Sequence, residues 1–397
     1  MSEILLDFAA NGLTGFGLGT MALFLLVVTQ LTIFTVTLYL HRSQTHRGVD
    51  FHPVLAHFFR FWSWLTTGMV TREWVAIHRK HHAHCETAED PHSPHVVGIN
   101  KVFWQGVELY RTASYDQPML EKYGRGCPND WLERHVYGAH PYSGPVLMML
   151  INLALFGVAG LAIWGIQMLW IPFWAAGVVN GLGHWWGYRN FETSDQARNL
   201  TPWGIWIGGE ELHNNHHAFP SSAKFALRKF EFDIGWVVIR ACEKLRLARV
   251  LRVAPNLDVR ANVTLPDNET LKAVLTHRFK VMKDFSQGVI KPILHQEAAS
   301  TDGGLKDMPR RMRRALASGG RWLDTEGRER LSRLVARRPQ LQTVCEYRAR
   351  LAALMEQRGP DAALKGLQQW IHEAEQSGIR VLQDFARRLK GYTVTSR

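Results

Sequence analysis

Long apolar runs alternate with short polar, histidine-rich runs through the first 220 residues of the chain. The run from Leu5 to Leu40 is nearly uncharged, and as one straight helix it would be about 54 Å long, against a bilayer hydrocarbon core of about 30 Å. Gly12, Gly15, Gly17 and Gly19 are candidate break points. The pattern therefore predicts either a helix that projects several turns past the bilayer or a tight hairpin.

Two later apolar runs, Val146 to Trp164 and Gln167 to Tyr188, predict membrane-spanning helices joined by a short connection that contains glycine. Pro53 to Met69 is also apolar, but it is short and contains His57 and Arg60, which are costly at bilayer depth. We therefore expect that stretch to be interfacial or re-entrant. Two crossings then return the chain to the face that it left.

Downstream of residue 220 the pattern becomes amphipathic and basic. Lys224 to Arg252 is typical of a segment that lies on a bilayer surface. Residues 253–300 are expected to be a connecting stretch with short helices. Arg310 to Lys390 predicts two or three amphipathic helices, broken around Gly319-Gly320 and Gly359-Pro360.

Two histidine runs share one spacing, His78-Arg79-Lys80-His81-His82 and His213-Asn214-Asn215-His216-His217. On a helix, positions i, i+3 and i+4 fall within an arc of roughly 100°, so each run directs three imidazoles to one side. His41 and His46 precede them. These two are five residues apart, about 140° around a helix, so the helix is expected to end or bend there.

Clustered imidazoles without thiolates or carboxylates suit iron, zinc or copper. His184, with Asn180 four residues earlier on the same face, adds an intramembrane histidine, which is a functional candidate by default. Zinc needs only three protein ligands and a water, so the excess of ligands favours two redox-active irons. The nine candidate ligands are His41, His46, His78, His81, His82, His184, His213, His216 and His217.

The other histidines have weaker signals. His84, His92 and His95 lie in or beside the acidic run Glu86 to His95, and we expect them to be loop residues or neighbours of the ligands. His135 and His140 stand outside any motif and are expected at the surface.

The four cysteines, Cys85, Cys127, Cys242 and Cys345, form no CxxC pair, so neither a disulfide framework nor a thiolate zinc site is indicated. Cys85 follows His84, but the sequence gives little support to a role for it as a ligand.

Net charge is +12, and residues 301–397 carry 20 Lys/Arg against 11 Asp/Glu, an excess of +9. Such a surface suits an anionic membrane or a nucleic acid, and an ordinary solvated helical surface explains it at least equally well. Attachment to a membrane surface or docking of a partner protein is the functional interpretation of this tail. Because no helix-turn-helix or zinc motif accompanies the charge, no nucleic acid partner is expected.

Arg42 and Arg47 place the end of the first apolar run in the cytoplasm. MSEILLDF lacks the basic start of a signal peptide, so the apolar segments are expected to remain in the mature chain.

Residues 5–255 resemble the membrane-bound fatty acid desaturases, in particular the acyl-CoA Δ9 type. The three histidine boxes of that family stand here as HRxxxxHR from His41 to Arg47, HRxHH from His78 to His82, and HNxHHxFP from His213 to Pro220. Smaller matches are Glu73-Trp74, Asn180 with His184, Gly187-Tyr188-Arg189 and Gly209-Glu210.

The resemblance implies a di-iron enzyme that binds two Fe²⁺ ions through the nine histidines and uses O₂ and two external electrons to leave a cis double bond, at Δ9, in a saturated acyl chain. It implies that Asn180 holds a metal-bound water and that Trp74 lines the substrate tunnel. The implied partners are acyl-CoA, membrane lipid and a separate electron donor of the ferredoxin, cytochrome b5 or flavin reductase type.

The resulting expectation is an all-α integral membrane bundle of about four membrane helices. A cytoplasmic, histidine-rich di-iron cap lies in residues 1–255, and residues 256–397 form a basic helical extension. The expected location is a bacterial inner membrane, with the active site on the cytoplasmic face.

Three alternatives remain open at this point. One is a membrane di-iron hydroxylase or alkane monooxygenase, although its first cluster is usually HExxH-like whereas this one is HRxxxxHR. A second is a desaturase of phospholipid-bound chains. A third, a metal transporter, would need ligands along a path through the bilayer, whereas these cluster at helix ends.

Overall fold

The computed structural model describes residues 2–300, 308 and 310–395. The chain divides into two compact units. The front unit comprises Met1–Arg189 and Thr193–Ala254, and the C-terminal unit comprises Asn190–Glu192 and Pro255–Arg397. Both units are mostly helical, and three two-stranded sheets occur in the described part of the chain.

Eleven α-helices, some with π or 3₁₀ continuations, and four short strands build the described part of the front unit. The helices are α1 Ser2–Asn11, α2 Leu18–Phe34, α3 Pro53–Thr67, α4 Thr71–His84, α5 Ile99–Trp104, α6 Gly106–Ser114, α7 Gln117–Tyr123, α8 Ser143–Phe156, α9 Ala159–Ile171, α10 His213–Ala218 and α11 Ile234–Lys244. The π-helices are Thr35–Thr45, Glu133–Tyr137 and Pro172–Gly181, and the 3₁₀ turns are Leu182–His184 and Glu210–Leu212. The strands are β1 Val49–Phe51, β2 Trp203–Gly204, β3 Phe232–Asp233 and β4 Ala248–Val250. Strands β1 and β4 pair antiparallel, and β2 and β3 pair parallel.

The first apolar run is broken near its predicted glycines. Gly12 and Gly15 have φ of +61° and +60°, a conformation that side-chain-bearing residues rarely adopt. Helix α1 has ten residues and is therefore about 15 Å long, too short to cross a bilayer. The alternative of one continuous helix was wrong, and Leu18–Thr45 is the one candidate span among the described residues before His46.

A second candidate span covers Ala159–His184, and the apolar helix Ser143–Phe156 before it is shorter. The predicted helix boundary in this region was wrong, because the chain turns at Gly157 and Gly165 lies inside α9. Gly157 has φ of +60°, and a Cβ there would lie 2.4 Å from the carbonyl oxygen of Ala9. The close approach of Gly157 to α1 thus places the turn eight residues before Gly165, which lies in the connection that the hydropathy pattern predicts.

Helix α3 holds the arginine that made Pro53 to Met69 a poor candidate for a membrane crossing. Arg60 is buried, and its Nη2 lies 2.7 Å from Oδ2 of Asp130, with Glu133 also within ion-pair distance. With 15 residues the helix is about 22 Å long. Its interfacial or re-entrant position stays a prediction.

A π-helix at the end of the first span brings His41 and His46 together although they are five residues apart. From Thr35 to Thr45 the helix is a π-helix, and the backbone N–H of His46 donates to the carbonyl of His41 at 3.2 Å. Bonds between residues five apart bring the two imidazoles together, with ring centroids 5.0 Å apart. The helix therefore ends here as expected, but a change in winding, not a bend, aligns the two rings.

The side chain of Arg42 joins this helix end to the segments on either side of α10. Its guanidinium donates two hydrogen bonds to Asp233, at 2.9 and 3.0 Å, and both side chains are almost fully buried. The same group lies 3.7 Å from the ring centroid of Phe225 and donates to the carbonyls of Ala223 and Gly208. A bidentate, fully buried pair of this kind is geometrically specific.

The C-terminal unit has its own core and more helices than predicted. Between Arg310 and Lys390 there are five helices, because the chain also breaks at Arg338, before Pro339 opens a helix, and again at Gln376–Ile379. The helices are α12 Asn268–Thr276, α13 Arg278–Phe285, α14 Lys291–Ser300, α15 Arg310–Ser318, α16 Thr325–Ala336, α17 Pro339–Glu356, α18 Pro360–Glu375 and α19 Arg380–Lys390. A π-helix, Ser286–Ile290, joins α13 to α14, and strands β5 Asn256–Val259 and β6 Tyr392–Thr395 pair antiparallel. Phe285, Trp370 and Phe385 lie at the centre of the core.

Two Asp–Arg pairs of the front unit, one buried and one exposed, give a matched test of the Arg42–Asp233 pair. Asp233→Ala leaves the Arg42 charge buried without its partner, so we expect a loss of about 3–5 kcal/mol in the free energy of unfolding. Asp50→Ala removes the pair with Arg249, whose side chains are 42% and 77% exposed, and should cost about 1 kcal/mol or less. Denaturant titration in detergent measures both. Equal losses would contradict the anchoring role of Arg42.

Candidate metal centre

The nine predicted histidines meet in one region of the front unit. They come from the end of the first span, from α4, from the 3₁₀ turn after α9, and from α10. Seven of the nine are buried, and His46 and His82 are partly buried. Eight of the nine belong to two groups of side chains whose ligand atoms lie within 4.8 Å of one another, and the ninth, His213, adjoins the second group through His184.

The first set contains five histidines whose rings lie close together. Nε2 of His216 lies 3.0 Å from Nε2 of His41 and 2.9 Å from Nε2 of His82, and Nε2 of His82 lies 3.1 Å from that of His78. The ring of His46 stands 4.6 Å from that of His82. The first set is His41, His46, His78, His82 and His216.

The second set adjoins the first. Nε2 of His213 lies 2.9 Å from Nε2 of His184, and the His217 ring centroid lies 4.4 Å from that of His213 and 5.4 Å from that of His81. His82 of the first set stacks on His217 with centroids 4.4 Å apart. The second set is His81, His184 and His217, whose ligand atoms lie within 4.8 Å of one another, together with His213, which contacts His184.

The spacing of these nitrogens fits metal ligation. Metal–imidazole bonds of about 2.1 Å place neighbouring ligands at right angles about 3.0 Å apart, which is the separation seen between the Nε2 atoms. Nε2 of His46 and of His217 are buried and have no hydrogen-bond partner among the described residues. Buried polar nitrogens without partners are costly, and an ion in each set would satisfy them.

Four carboxylates hold the opposite nitrogens of four ligand rings. Glu210 lies 2.7 Å from Nδ1 of His41, Asp90 3.0 Å from that of His81, Asp195 2.9 Å from that of His217, and Glu86 3.2 Å from that of His184. A carboxylate on Nδ1 keeps the proton there, which leaves Nε2 free to bind a metal and fixes the ring orientation.

Sequence reasoning missed most of these carboxylates. Asp90 and Glu86 belong to the run Glu86 to His95, in which only the histidines were considered, and Glu210 was named only as a family match. Asp195 had no signal, because it lies in an irregular segment that only the fold brings to His217. His92 and His95 are close neighbours of the ligands, as expected. The ring centroid of His92 lies 4.4 Å from that of His81, and Nε2 of His95 lies 2.9 Å from the carbonyl oxygen of His184.

Burial keeps most of these rings in the neutral form that metals bind. It lowers the pKa of five rings well below 6.5, and neighbouring imidazoles lower it further; the five are His46, His78, His82, His213 and His216. Burial also lowers the pKa of His217, to about 4, although Asp195 opposes the shift. For His81, burial is outweighed by Asp90, and the pKa is raised.

An apolar cavity of about 470 Å³ reaches the first set. The Trp74 ring stacks on His78 with centroids 4.9 Å apart and planes 20° apart, and both side chains line the cavity. Asn180 lines it as well. The cavity has the size and apolar lining of a small-molecule pocket, and the imidazoles of His78 and His92 form part of its wall.

Fold and site together define a helical protein in which a two-part imidazole centre faces an apolar cavity. The fatty acid desaturase family model matches residues 18–236, which is more than half of the chain. The chain belongs to the fatty acid desaturase family. A separate family model, for a transposase, matches residues 270–395 of the C-terminal unit.

Curated relatives agree with this family. The Delta-9 acyl-lipid desaturase 1 of Arabidopsis thaliana is 32% identical over 225 residues, 54% of this chain and 69% of the relative. The sn-1 stearoyl-lipid 9-desaturase of Anabaena variabilis is 30% identical, over 55% of this chain and 79% of the relative. A probable chloroplast lipid desaturase of Arabidopsis thaliana is 33% identical, and the match spans 60% of this chain and only 62% of that relative.

The carboxylates can be tested by metal retention. Asp90→Ala removes the partner of His81 Nδ1, and the loss of such a partner typically weakens metal affinity 10–100-fold. Glu89→Ala is the matched control, since its exposed side chain lies in the same loop. Iron remaining after dialysis against a chelator, measured by mass spectrometry, should fall in Asp90→Ala alone. Equal retention in the two variants would contradict the role given to Asp90.

The buried neutral rings make the metal-free protein sensitive to acid. Unfolded histidine takes up a proton near pH 6.5 but folded His217 only near pH 4. Between these values the unfolded state binds more protons, so the free energy of unfolding decreases as the pH is lowered. Each such ring contributes about 1.4 kcal/mol per pH unit. His81 acts in the opposite direction because its pKa is raised.

Chelator-treated protein should therefore be less stable at pH 5 than at pH 7, and His217→Asn should flatten the dependence. Denaturant titrations at the two pH values measure the difference. A slope unchanged by His217→Asn would rule out His217 as a source of it.

Proposed function

We propose that this chain is an O₂-dependent di-iron desaturase that introduces a cis double bond, at Δ9, into a saturated fatty acyl chain. The observation that carries the proposal is the pair of adjoining imidazole sets, one of which reaches an apolar cavity through His78. The family match and the Δ9 names of two relatives support it.

In this proposal each set holds one iron. The first set supplies five histidines, and the second supplies four together with a water held by Asn180. When bound, paired irons would supply the O₂-dependent oxidation that removes two hydrogens from an unactivated acyl chain. Glu210, Asp90, Asp195 and Glu86 keep the Nδ1 protons of their partner rings in place, so that the ligand nitrogens point inward.

The cavity positions the substrate and excludes water. Apolar side chains from the first span, α4 and α9 enclose an acyl chain, and Trp74 forms the wall beside His78. Holding one pair of methylenes next to the centre determines which carbon–carbon bond is oxidised. Trp74 is thus a specificity residue in the proposal.

The proposed setting is an integral membrane protein of about four membrane helices, with the active site on the cytoplasmic face of a bacterial inner membrane. Two helices have the length and composition of spans, and α8 is a shorter apolar helix. Arg42 and Arg47, at the end of the first span, support the cytoplasmic orientation.

Acyl-CoA is the proposed carrier, and a separate ferredoxin, cytochrome b5 or flavin reductase type protein is the proposed electron donor. An acyl-CoA C20 Delta5-desaturase of Anemone leveillei is 30% identical over 72% of its length, which supports the carrier. The names of other relatives give lipid-bound chains, and this is the second candidate.

Expression in a host that lacks its own desaturase tests the proposal. The parent chain should produce a new monoenoic fatty acid with its double bond at Δ9, located by gas chromatography with mass spectrometry. A His78→Ala, His213→Ala double variant should produce none, because each iron loses a ligand. Hydroxylated acids in place of the monoene would favour the hydroxylase alternative.

The carrier is tested with membranes that contain the active chain and an electron donor. Isotope-labelled stearoyl-CoA and phospholipid with labelled stearoyl chains are supplied separately, and early conversion is followed. Conversion of the CoA thioester before label enters lipid supports acyl-CoA. Conversion of the phospholipid alone would transfer the activity to lipid-bound chains.

A further inference from the structure

A cysteine stands inside the second set of imidazoles. Cys85 follows the last residue of α4, and its sulfur lies 3.8 Å from Nε2 of His81 and 3.9 Å from Nδ1 of His184. One ligand atom from each of Cys85, His81, His184 and His217 lies within 4.8 Å of the others. The sulfur contacts His184 on the nitrogen that Glu86 holds, so His81 is the ring whose free nitrogen faces it. The sequence gave little support to Cys85 as a ligand, because the four cysteines form no CxxC pair.

The distance between sulfur and nitrogen fits two ligands of one ion. His81 holds its Nδ1 against Asp90, so Nε2 is its ligand atom. With bonds of about 2.3 Å to sulfur and about 2.1 Å to nitrogen, a separation of 3.8 Å corresponds to an angle of about 120° at the metal. No rearrangement of α4 is needed for both atoms to reach the same point.

A second observation points to an ion at this position. Nε2 of His217 belongs to the same group, is buried, and has no hydrogen-bond partner among the described residues. Its other nitrogen is held by Asp195 at 2.9 Å. The Cys85 thiol therefore lies in the same group as a buried ring nitrogen, Nε2 of His217, that is free to bind a metal ion.

We propose that Cys85 binds the metal ion of the second set as a thiolate. On binding, a sulfur–metal bond forms, the S–H bond breaks, and the proton leaves to solvent without any change of oxidation state. The two ions then differ in kind. The first has nitrogen ligands alone, and the second gains a softer sulfur donor that places more electron density on the metal. This inference rests on the proposed metal centre and adds one ligand to it.

The test uses cobalt(II) as the probe in the purified full-length chain. A thiolate bound to cobalt gives an intense near-ultraviolet charge-transfer band that imidazole ligands do not give. The parent should show this band with about two cobalt ions bound per chain. Cys85→Ser and Cys85→Ala should lose the band while the visible bands of nitrogen-bound cobalt persist.

Cys127→Ser is the matched control, because this partly buried cysteine belongs to neither group of candidate ligands in the described chain. It should keep the band. Cobalt bound by the parent without the band, or a band that survives in both Cys85 variants, overturns the assignment of Cys85 and leaves the histidine centre standing. Failure of the parent to bind cobalt or iron overturns the metal centre and this inference together.

Discussion

The front unit depends on packing nine imidazoles into one buried region without charging them. A protonated ring next to eight others would meet both desolvation and repulsion, and burial holds the pKa of most of these rings well below 6.5. A neutral ring whose Nδ1 proton is held by a carboxylate presents a lone pair at Nε2, and a facing Nε2 at about 3 Å is satisfied by an N–H of the neighbouring ring or by a cation bound between them. The buried Nε2 atoms of His46 and His217, which have no hydrogen-bond partner among the described residues, favour the cation.

The surrounding polar groups follow from this constraint. Each of four carboxylates fixes the outer nitrogen of one ring, and the Arg42–Asp233 pair ties the end of the first span to the segment after α10. Such pairs are expensive to bury, and replacement by apolar residues is often neutral for stability alone. Their presence here is consistent with a requirement for orientation, because metal ligands must be held to a few tenths of an ångström.

The described part of the C-terminal unit contributes no residue to the histidine centre. It has its own apolar core, and none of the nine histidines or the residues lining the cavity belongs to its described part. Its similarity to a transposase family model concerns a helical segment of about 126 residues and carries no desaturase motif. Attachment to a membrane surface or to a partner protein stays a prediction for this unit.

Local sequence spacing was enough to single out the nine histidines that the fold brings together and to predict the apolar character of the segments around them. Periodicity and residue chemistry act over a few residues, so HxxHH on a helix already aims its rings. The sequence could not reveal the contacts made between distant segments. The π-helical winding that aligns His41 with His46, the turn at Gly157, the carboxylate of Asp195 and the sulfur of Cys85 all depend on what packs against them. Tertiary structure decided these features, because each is a close approach between segments that the one-dimensional pattern does not pair.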